Sequence, residues 1–402
     1  ANYLQQGVAA PRKVFISYDN RARSNYFAKI SAAVLAANDI VVYLVKNLRP
    51  TPLCSFGCIH YQCCAAIMIT ASHNGPAYNG YKVYWSSGAQ VLPPHDQNII
   101  AAIKKISGPQ EVKLVGFDHP NINYIGHELD EIYLDKMSKL KKWLNPQDKQ
   151  RNGLKIVYSN LHGTGITMTP RLLKKWNYRS IDFVTEQLAT HPDFPAVNKP
   201  NPEEKQALQK GVELLQKNQG DLLLVNDPDA DRIGVVSRHE GNPVYFSGNQ
   251  IACICLYHIL HNTKLPANSA FVKTVVTTEL FRKMVEMHNF VCIDVLTGFK
   301  YIGQKIDEWE KNGEIQFIFG AEESLGYLFG TEVRDKDGVV AAGLIAEATF
   351  AAKKQKLSLY SLLKKIYATY GVYLEQLFHL ELQGEEQKYR LLHEMRSNPP
   401  TK

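Results

Sequence analysis

A short β-branched run, then a polar or glycine-rich loop, then an amphipathic stretch: this unit recurs along the chain and constrains its fold more than any other feature. Strands alternating with cover helices in this way require largely parallel sheets faced by helices, an α/β fold. Strand candidates lie at residues 14–18, 41–45, 66–70, 154–158, 222–226, 271–276, 291–296 and 315–319. Residues 203–219 place Leu208, Val212 and Leu215 on one stripe of a helix whose other positions are Lys, Gln and Glu, with Gly220 as its expected C-terminal stop.

With 402 residues the chain is longer than one hydrophobic core supports, so several domains are expected. Three α/β blocks follow one another. A polar stretch at 141–153 containing Pro146 separates the first two, and residues 262–268 with Pro266 separate the second from the third. The character changes again after Gly371. The expected division is 1–150, 151–265, 266–372 and a tail, 373–402.

A net charge of +7 is spread thinly, with basic residues interleaved with acidic ones. The excess helps attract phosphorylated metabolites, but there is no clustered basic stripe of the kind that nucleic-acid binders use. Seven cysteines, an odd number, sit in apolar contexts such as Cys253 and Cys255, which reads as core thiols in a reducing compartment. Cys54, Cys58, Cys63 and Cys64 do not have zinc-site spacing. No run approaches the ~20 apolar residues of a membrane span, and the start does not read as a signal peptide. The expectation is therefore a cytoplasmic protein with no nucleic-acid or membrane partner, and no heptad repeat sets an oligomeric state.

Three motifs carry chemistry. Thr70-Ala71-Ser72-His73-Asn74 follows an apolar run and precedes Asn79-Gly80-Tyr81-Lys82. A serine on a loop at a strand end is exposed for reaction, and Gly75 and Gly80 allow tight backbone near a ligand. Turn formation alone is the plainer reading of this motif. Asp227-Pro228-Asp229-Ala230-Asp231-Arg232 follows a buried strand. Three carboxylates in one short loop repel unless a hard divalent cation neutralises them, and without a calcium-type loop magnesium fits better. Arg232 offers a fork for a phosphate oxygen. Glu322-Glu323-Ser324 follows a further strand and can hold neighbouring sugar hydroxyls, although alone it reads as a turn. Thr297-Gly298-Phe299-Lys300 and Lys336 offer cations for a second phosphate. His162-Gly163-Thr164-Gly165 reads as a strand-to-helix connection more than as an anion cradle, and no Walker loop exists.

Taken together and in this order, the three motifs resemble the α-D-phosphohexomutase superfamily. The segment 79–96 is similar to its phosphoglucomutase-2/phosphopentomutase branch. The resemblance implies three consecutive α/β domains with mixed sheets sandwiched by helices around a central cleft, and a mutase that converts sugar 1-phosphates into 6- or 5-phosphates. It implies Mg2+ bound by phosphorylated Ser72, Asp227, Asp229 and Asp231, with Lys82 as general acid/base, its pKa lowered by nearby positive charge, and Arg232 and His73 beside the phosphate. Glu322 and Ser324 match sugar-hydroxyl readers. Arg21, Thr297 and Lys336 match substrate contacts, and Lys300 joins them as a candidate. A sugar bisphosphate such as glucose 1,6-bisphosphate is the implied intermediate and activator. The family's Gly-Thr-x-Gly-Leu-Arg start and its fourth, Arg-x-Ser-Gly-Thr-Glu-Pro domain are not found, so the chain reads as a three-domain piece. Position 75 is Gly where Pro is usual. Two alternatives stay open: a haloacid-dehalogenase-type phosphatase with an aspartyl nucleophile, and a non-catalytic sugar-phosphate-binding homologue.

Overall fold

The computed structural model describes residues 1–141, 153–376, 380 and 382–399. Most of the stretch around Pro146 lies outside the described residues. Contacts divide the chain into two compact units, 1–372 and 373–402.

In the larger unit, the first sheet holds β1 (Lys13–Tyr18), β2 (Val41–Val45), β3 (Ala65–Ile69), β4 (Tyr81–Trp85) and β5 (Ile122–Ile125) in the order β4-β3-β1-β2-β5. Its helices are α1 (Asn2–Gly7), α2 (Ser24–Ala36), α3 (Thr51–His60), α4 (His95–Lys104) and α5 (Glu128–Ser138). The second sheet holds β6 (Ile156–Ser159), β7 (Ile181–Phe183), β8 (Leu222–Asn226), β9 (Ile233–His239) and β10 (Asn242–Tyr245), ordered β10-β9-β8-β6-β7, with α6 (Thr169–Lys175) and α7 (Lys205–Lys217). The third holds β11 (Ser269–Thr274), β12 (Val291–Val295), β13 (Gln316–Glu322) and β14 (Gly326–Phe329), ordered β12-β11-β13-β14. With it come α8 (Gly248–Asn262), α9 (Glu279–Met287), α10 (Phe299–Asn312), α11 (Gly338–Lys354) and α12 (Leu359–Tyr370). The smaller unit contains α13 (Gly384–Ser397), none of whose residues is buried.

All three sheets share one wiring. The first strand is central, the second and third lie parallel on either side of it, and the fourth returns antiparallel to the third. The third strands β3 and β8 are buried at every position. Parallel strands covered on both faces by helices must read as continuous apolar runs, and these do. Each third strand ends in a short loop before the return strand. Those three loops carry the Ser72, Asp227–Asp231 and Glu322–Ser324 motifs.

The return strands β4, β9 and β14 were not anticipated, because each begins directly after a motif rich in Asp, Gly or Ser. β13 runs to Glu322, three residues beyond its expected end, so the first glutamate of its motif is a strand residue. β11 stops at Thr274, leaving Val275 and Val276 exposed. Helix α7 buries Ala207, Leu208, Gly211, Val212 and Leu215 against a cluster that includes Val157, Leu223 and Val236. Each such leucine contributes roughly 1.5–3 kcal/mol by leaving water. The left-handed residue that ends this helix is Gln219 (φ 49°), not Gly220.

Helix α8, assigned from sequence to the second block, packs on α9, β13, α11 and α12. Helix α11 is buried from Gly338 to Ala352 and touches α6, α8, β8, β9 and β14. A helix apolar on nearly every side, with Glu347 facing His258, belongs in an interior, here between the second and third sheets. All seven cysteines are free thiols and six are buried, with Cys63 pushed up to about 12 by burial, as suits core packing. Among the described residues, no helix is long and apolar enough to cross a membrane.

Candidate active site

The serine loop leaves β3 at Thr70. Thr70 Oγ1 accepts from the Ser72 amide at 2.9 Å, and Ser72 adopts a left-handed conformation (φ 53°). Gly80 is required where the loop closes, since a Cβ there would lie 2.4 Å from Thr70 O. Gly75 is not needed for close packing: nothing lies within 4 Å of its would-be Cβ.

Arg21 holds this loop. Its guanidinium donates to the carbonyls of Gly75 (2.8 Å), Tyr78 (3.1 Å), Asn74 (2.7 Å) and Ser72, and its Nε to Asp19 Oδ2 at 3.0 Å. All five guanidinium hydrogens are thus used, and the residue is 3% exposed. Arg21, an expected substrate contact, thus has every donor engaged by Asp19 and the serine loop, whose shape it holds.

The acidic loop is buttressed from behind. Asn226, at the end of β8, accepts from Tyr158 Oη and Thr169 Oγ1 and donates to Arg232 O. The 162–165 turn is not an anion cradle. Thr164 donates its amide and hydroxyl to Pro228 O, and Gly163 lies so close to Pro228 that a Cβ would fall 2.3 Å from its Cα.

Asp227, Asp229 and Asp231 are at most 1% exposed, with one ligand oxygen of each within 4.8 Å of the others. Asp227 accepts from the Arg232 amide (2.9 Å) through Oδ1 and from Ser72 Oγ (3.1 Å) through Oδ2. Asp229 Oδ2 accepts from Lys82 Nζ (2.9 Å), Thr51 Oγ1 (2.8 Å) and Thr70 Oγ1 (3.2 Å). Asp231 Oδ2 faces Lys82 (3.3 Å) and Lys336 (3.5 Å). Among the described residues, Oδ1 of Asp229 and Oδ1 of Asp231 are buried without a hydrogen-bond donor, the latter 3.9 Å from Arg232 Nε. Burial, then the charges of Asp229 and Asp231, push the Asp227 carboxyl well above the usual range. Burial opposes ionisation of Asp229 too, but Lys82 and the hydrogen bonds to its carboxylate hold it below that range. Hard oxygen ligands, two of them orphaned, in a site with excess negative charge fit a small divalent cation such as Mg2+.

Lys82 does not sit among positive charges. Burial disfavours its charge, but Asp229, Asp231 and Asp335 outweigh burial and hold its pKa above the ordinary lysine value. The expectation of a lowered pKa is therefore corrected, because the nearest groups are carboxylates. His73 is pushed down to about 4 by burial and by Arg232, so its ring is neutral. Arg232 donates to Glu203 at 2.9 Å, while its Nε makes no hydrogen bond among the described residues and lies 3.9 Å from Asp231 Oδ1.

From the third block, Glu322 Oε1 accepts from the Gly298 amide at 2.9 Å, and burial raises its carboxyl against the pull of Lys336. Gly248 backs the same turn, where a Cβ would lie 1.8 Å from Glu323 O. Lys336 reaches Asp231 and Asp335 and lies over the Phe299 ring. Ser324 is half-buried in the turn, Thr297 is exposed, and the Lys300 ammonium lies 5.4 Å over the Tyr301 ring. Among the described residues, these three form no hydrogen bond or ion pair to the acidic loop. Thr51 and Asp335 escaped the sequence reading. Asp335 accepts from Tyr84 Oη and Gln90 Nε2, both at 2.8 Å. The signal for Thr51 was Pro50-Thr51-Pro52, a helix start just beyond a strand.

Models of the phosphoglucomutase/phosphomannomutase α/β/α domains I, II and III match residues 1–110, 131–241 and 247–370 in turn. The chain belongs to the phosphoglucomutase/phosphomannomutase family. It is thereby a member of the α-D-phosphohexomutase superfamily, whose members are phosphotransferase mutases. A phosphoglucomutase of Staphylococcus aureus (strain MRSA252) is 35% identical over 404 aligned positions, covering 100% of this chain and 72% of the relative, and that of strain N315 matches equally. A phosphoglucomutase/phosphomannomutase family protein from Burkholderia thailandensis has the same fold, with TM-score 0.69, 19% identity and coverage of 91% of this chain and 73% of that one. So does the open form of pp63/parafusin from Paramecium, with TM-score 0.68, 19% identity and coverage of 92% and 69%. Family membership displaces the haloacid-dehalogenase alternative.

Proposed function

We propose that this phosphohexomutase-family chain moves a phosphate between C1 and C6 of a hexose, or C1 and C5 of a pentose, by way of phosphorylated Ser72 and a sugar bisphosphate. The observation that carries the reading is the 3.1 Å approach of Ser72 Oγ to Asp227 Oδ2 beside two orphaned carboxylate oxygens. Ser72, Asp227, Asp229 and Asp231 would hold Mg2+, which would neutralise charge on the transferring phosphoryl group.

The first block supplies the serine and Lys82, the second the acidic loop and Arg232, the third the sugar readers. In transfer from the serine, a sugar hydroxyl oxygen forms the new P–O bond as the bond to Ser72 Oγ breaks. The hydroxyl loses a proton and the serine oxygen gains one. Lys82, kept protonated by Asp229 and Asp231, is the carrier: it gives its proton to Oγ and takes the hydroxyl's. Arg232, whose Nε makes no hydrogen bond among the described residues, and neutral His73 face the phosphate. Glu322 and Ser324 hold sugar hydroxyls, with Thr297, Lys300 and Lys336 toward the second phosphate. The bisphosphate turns over, and its other phosphate returns to Ser72.

The test is peptide-level mass spectrometry after incubation with glucose 1,6-bisphosphate and Mg2+. One acid-stable phosphate on Ser72, lost in Ser72→Ala, is expected. Incorporation persisting in that variant, or a hydroxylamine-labile acyl phosphate on Asp227, overturns the proposal.

A further inference from the structure

Thr51 is fully buried, yet nothing in the phosphoryl-transfer scheme uses it. It is the first residue of α3, flanked by Pro50 and Pro52, and it belongs to the first block. Its two polar handles both cross to the second block and end on one residue. The amide donates to Asp229 O and the hydroxyl to Asp229 Oδ2, each at 2.8 Å. The amide fixes the main chain of the acidic loop, and the hydroxyl fixes the rotation of the carboxylate. As a β-branched side chain at the start of a helix, threonine has little freedom to take the hydroxyl elsewhere.

We propose that Thr51 is a positioning residue for the metal site, assigning Asp229 Oδ2 to the protein so that Oδ1 is left for the cation. Oδ2 already accepts from Thr51, Thr70 and Lys82, which exhausts its lone pairs. Oδ1 is buried with no hydrogen-bond donor among the described residues, on a carboxylate that brings one oxygen within 4.8 Å of a ligand oxygen of Asp227 and of Asp231. All three donors come from the first block. Cation affinity therefore depends on that block's seating against the second, independently of Ser72. This inference rests on the metal reading above.

The test uses the full chain and Mn2+ as probe, with free Mn2+ counted by electron paramagnetic resonance and Ser72 phosphate content matched by intact mass. Thr51→Val, which keeps the shape and removes the hydroxyl, should raise the Mn2+ dissociation constant about ten-fold or more, the usual cost of losing a partner that orients a ligand. Thr51→Ser should restore it to within about three-fold, because the hydroxyl is kept. Thr70→Val, which removes the longer bond to Oδ2 and also the acceptor of the Ser72 amide, serves if Thr51→Val fails to fold. Unchanged Mn2+ affinity in both valine variants, or a serine variant as weak as valine, overturns the positioning role. Wild-type protein that binds no Mn2+ overturns the metal reading itself.

Discussion

The loop between β3 and β4 is fastened from within its own sheet, whereas the loop between β8 and β9 borrows its fastenings from neighbours. Arg21, three residues past the end of β1, spends its guanidinium on the Asp19 carboxylate and on carbonyls of the serine loop. The acidic loop's side chains are held instead by Thr51, Thr70 and Lys82 from one side and Lys336 from the other. The loop of the proposed nucleophile thus keeps its shape regardless of what faces it. A cluster of like charges is tolerable only once its surroundings are assembled.

Removing Arg21 tests the first half of this contrast and has the largest expected effect. Arg21→Met leaves Asp19 buried without its cation and strips four carbonyls of their donor, a loss of about 3–5 kcal/mol. The urea midpoint should fall accordingly and Ser72 phosphorylation should collapse. An unchanged midpoint would mean that the loop is not held from within.

Next comes Asp337, which caps α11 by accepting from the amides of Val339 and Val340 and from Tyr133 Oη. Behind it Gly338 seats the helix on the acidic loop, where a Cβ would lie 2.7 Å from Ala230 O and Arg232 O. Burial raises the Asp337 carboxyl to about 6, so between pH ~4 and ~6 the native state holds this proton more tightly than the unfolded chain does. Stability contributed here is full at the acid end and falls as pH rises through that window, by about 3 kcal/mol in all. Asp337→Asn should remove that component from a series of urea melts across the window. An identical pH slope in the variant would sink the assignment.

The smallest effects come from two glycines. Gly163→Ala drives a methyl into the backbone of Pro228 under the acidic loop, which should cost about 1–3 kcal/mol. Gly75→Ala on the serine loop meets nothing and should stay within about 0.5 kcal/mol. Thermal melts of the pair sharpen the contrast, and equal losses would erase it.

Eight parallel strands and the three motif positions were legible because continuous apolar runs and alternating carboxylates carry their physics locally, whereas the short parallel strands β5 and β7 were not among the candidates. The return strands were hidden because Tyr81-Lys82-Val83 or Ile233-Gly234-Val235 directly abuts the motif before it, and pairing with β3 or β8 is a long-range choice. Arg21 could be seen as important but not as structural, since its carbonyl partners on the serine loop lie more than 50 residues away. The sign of the Lys82 shift was likewise invisible. It depends on Asp229, Asp231 and Asp335, which only the folded chain brings to one ammonium.

Because each reactive loop occupies the same station in the same wiring, its length and composition can change without rerouting the strands behind it. Descendants of such a chain could then retune the third hairpin, the proposed sugar reader, while the serine and acidic hairpins are inherited intact.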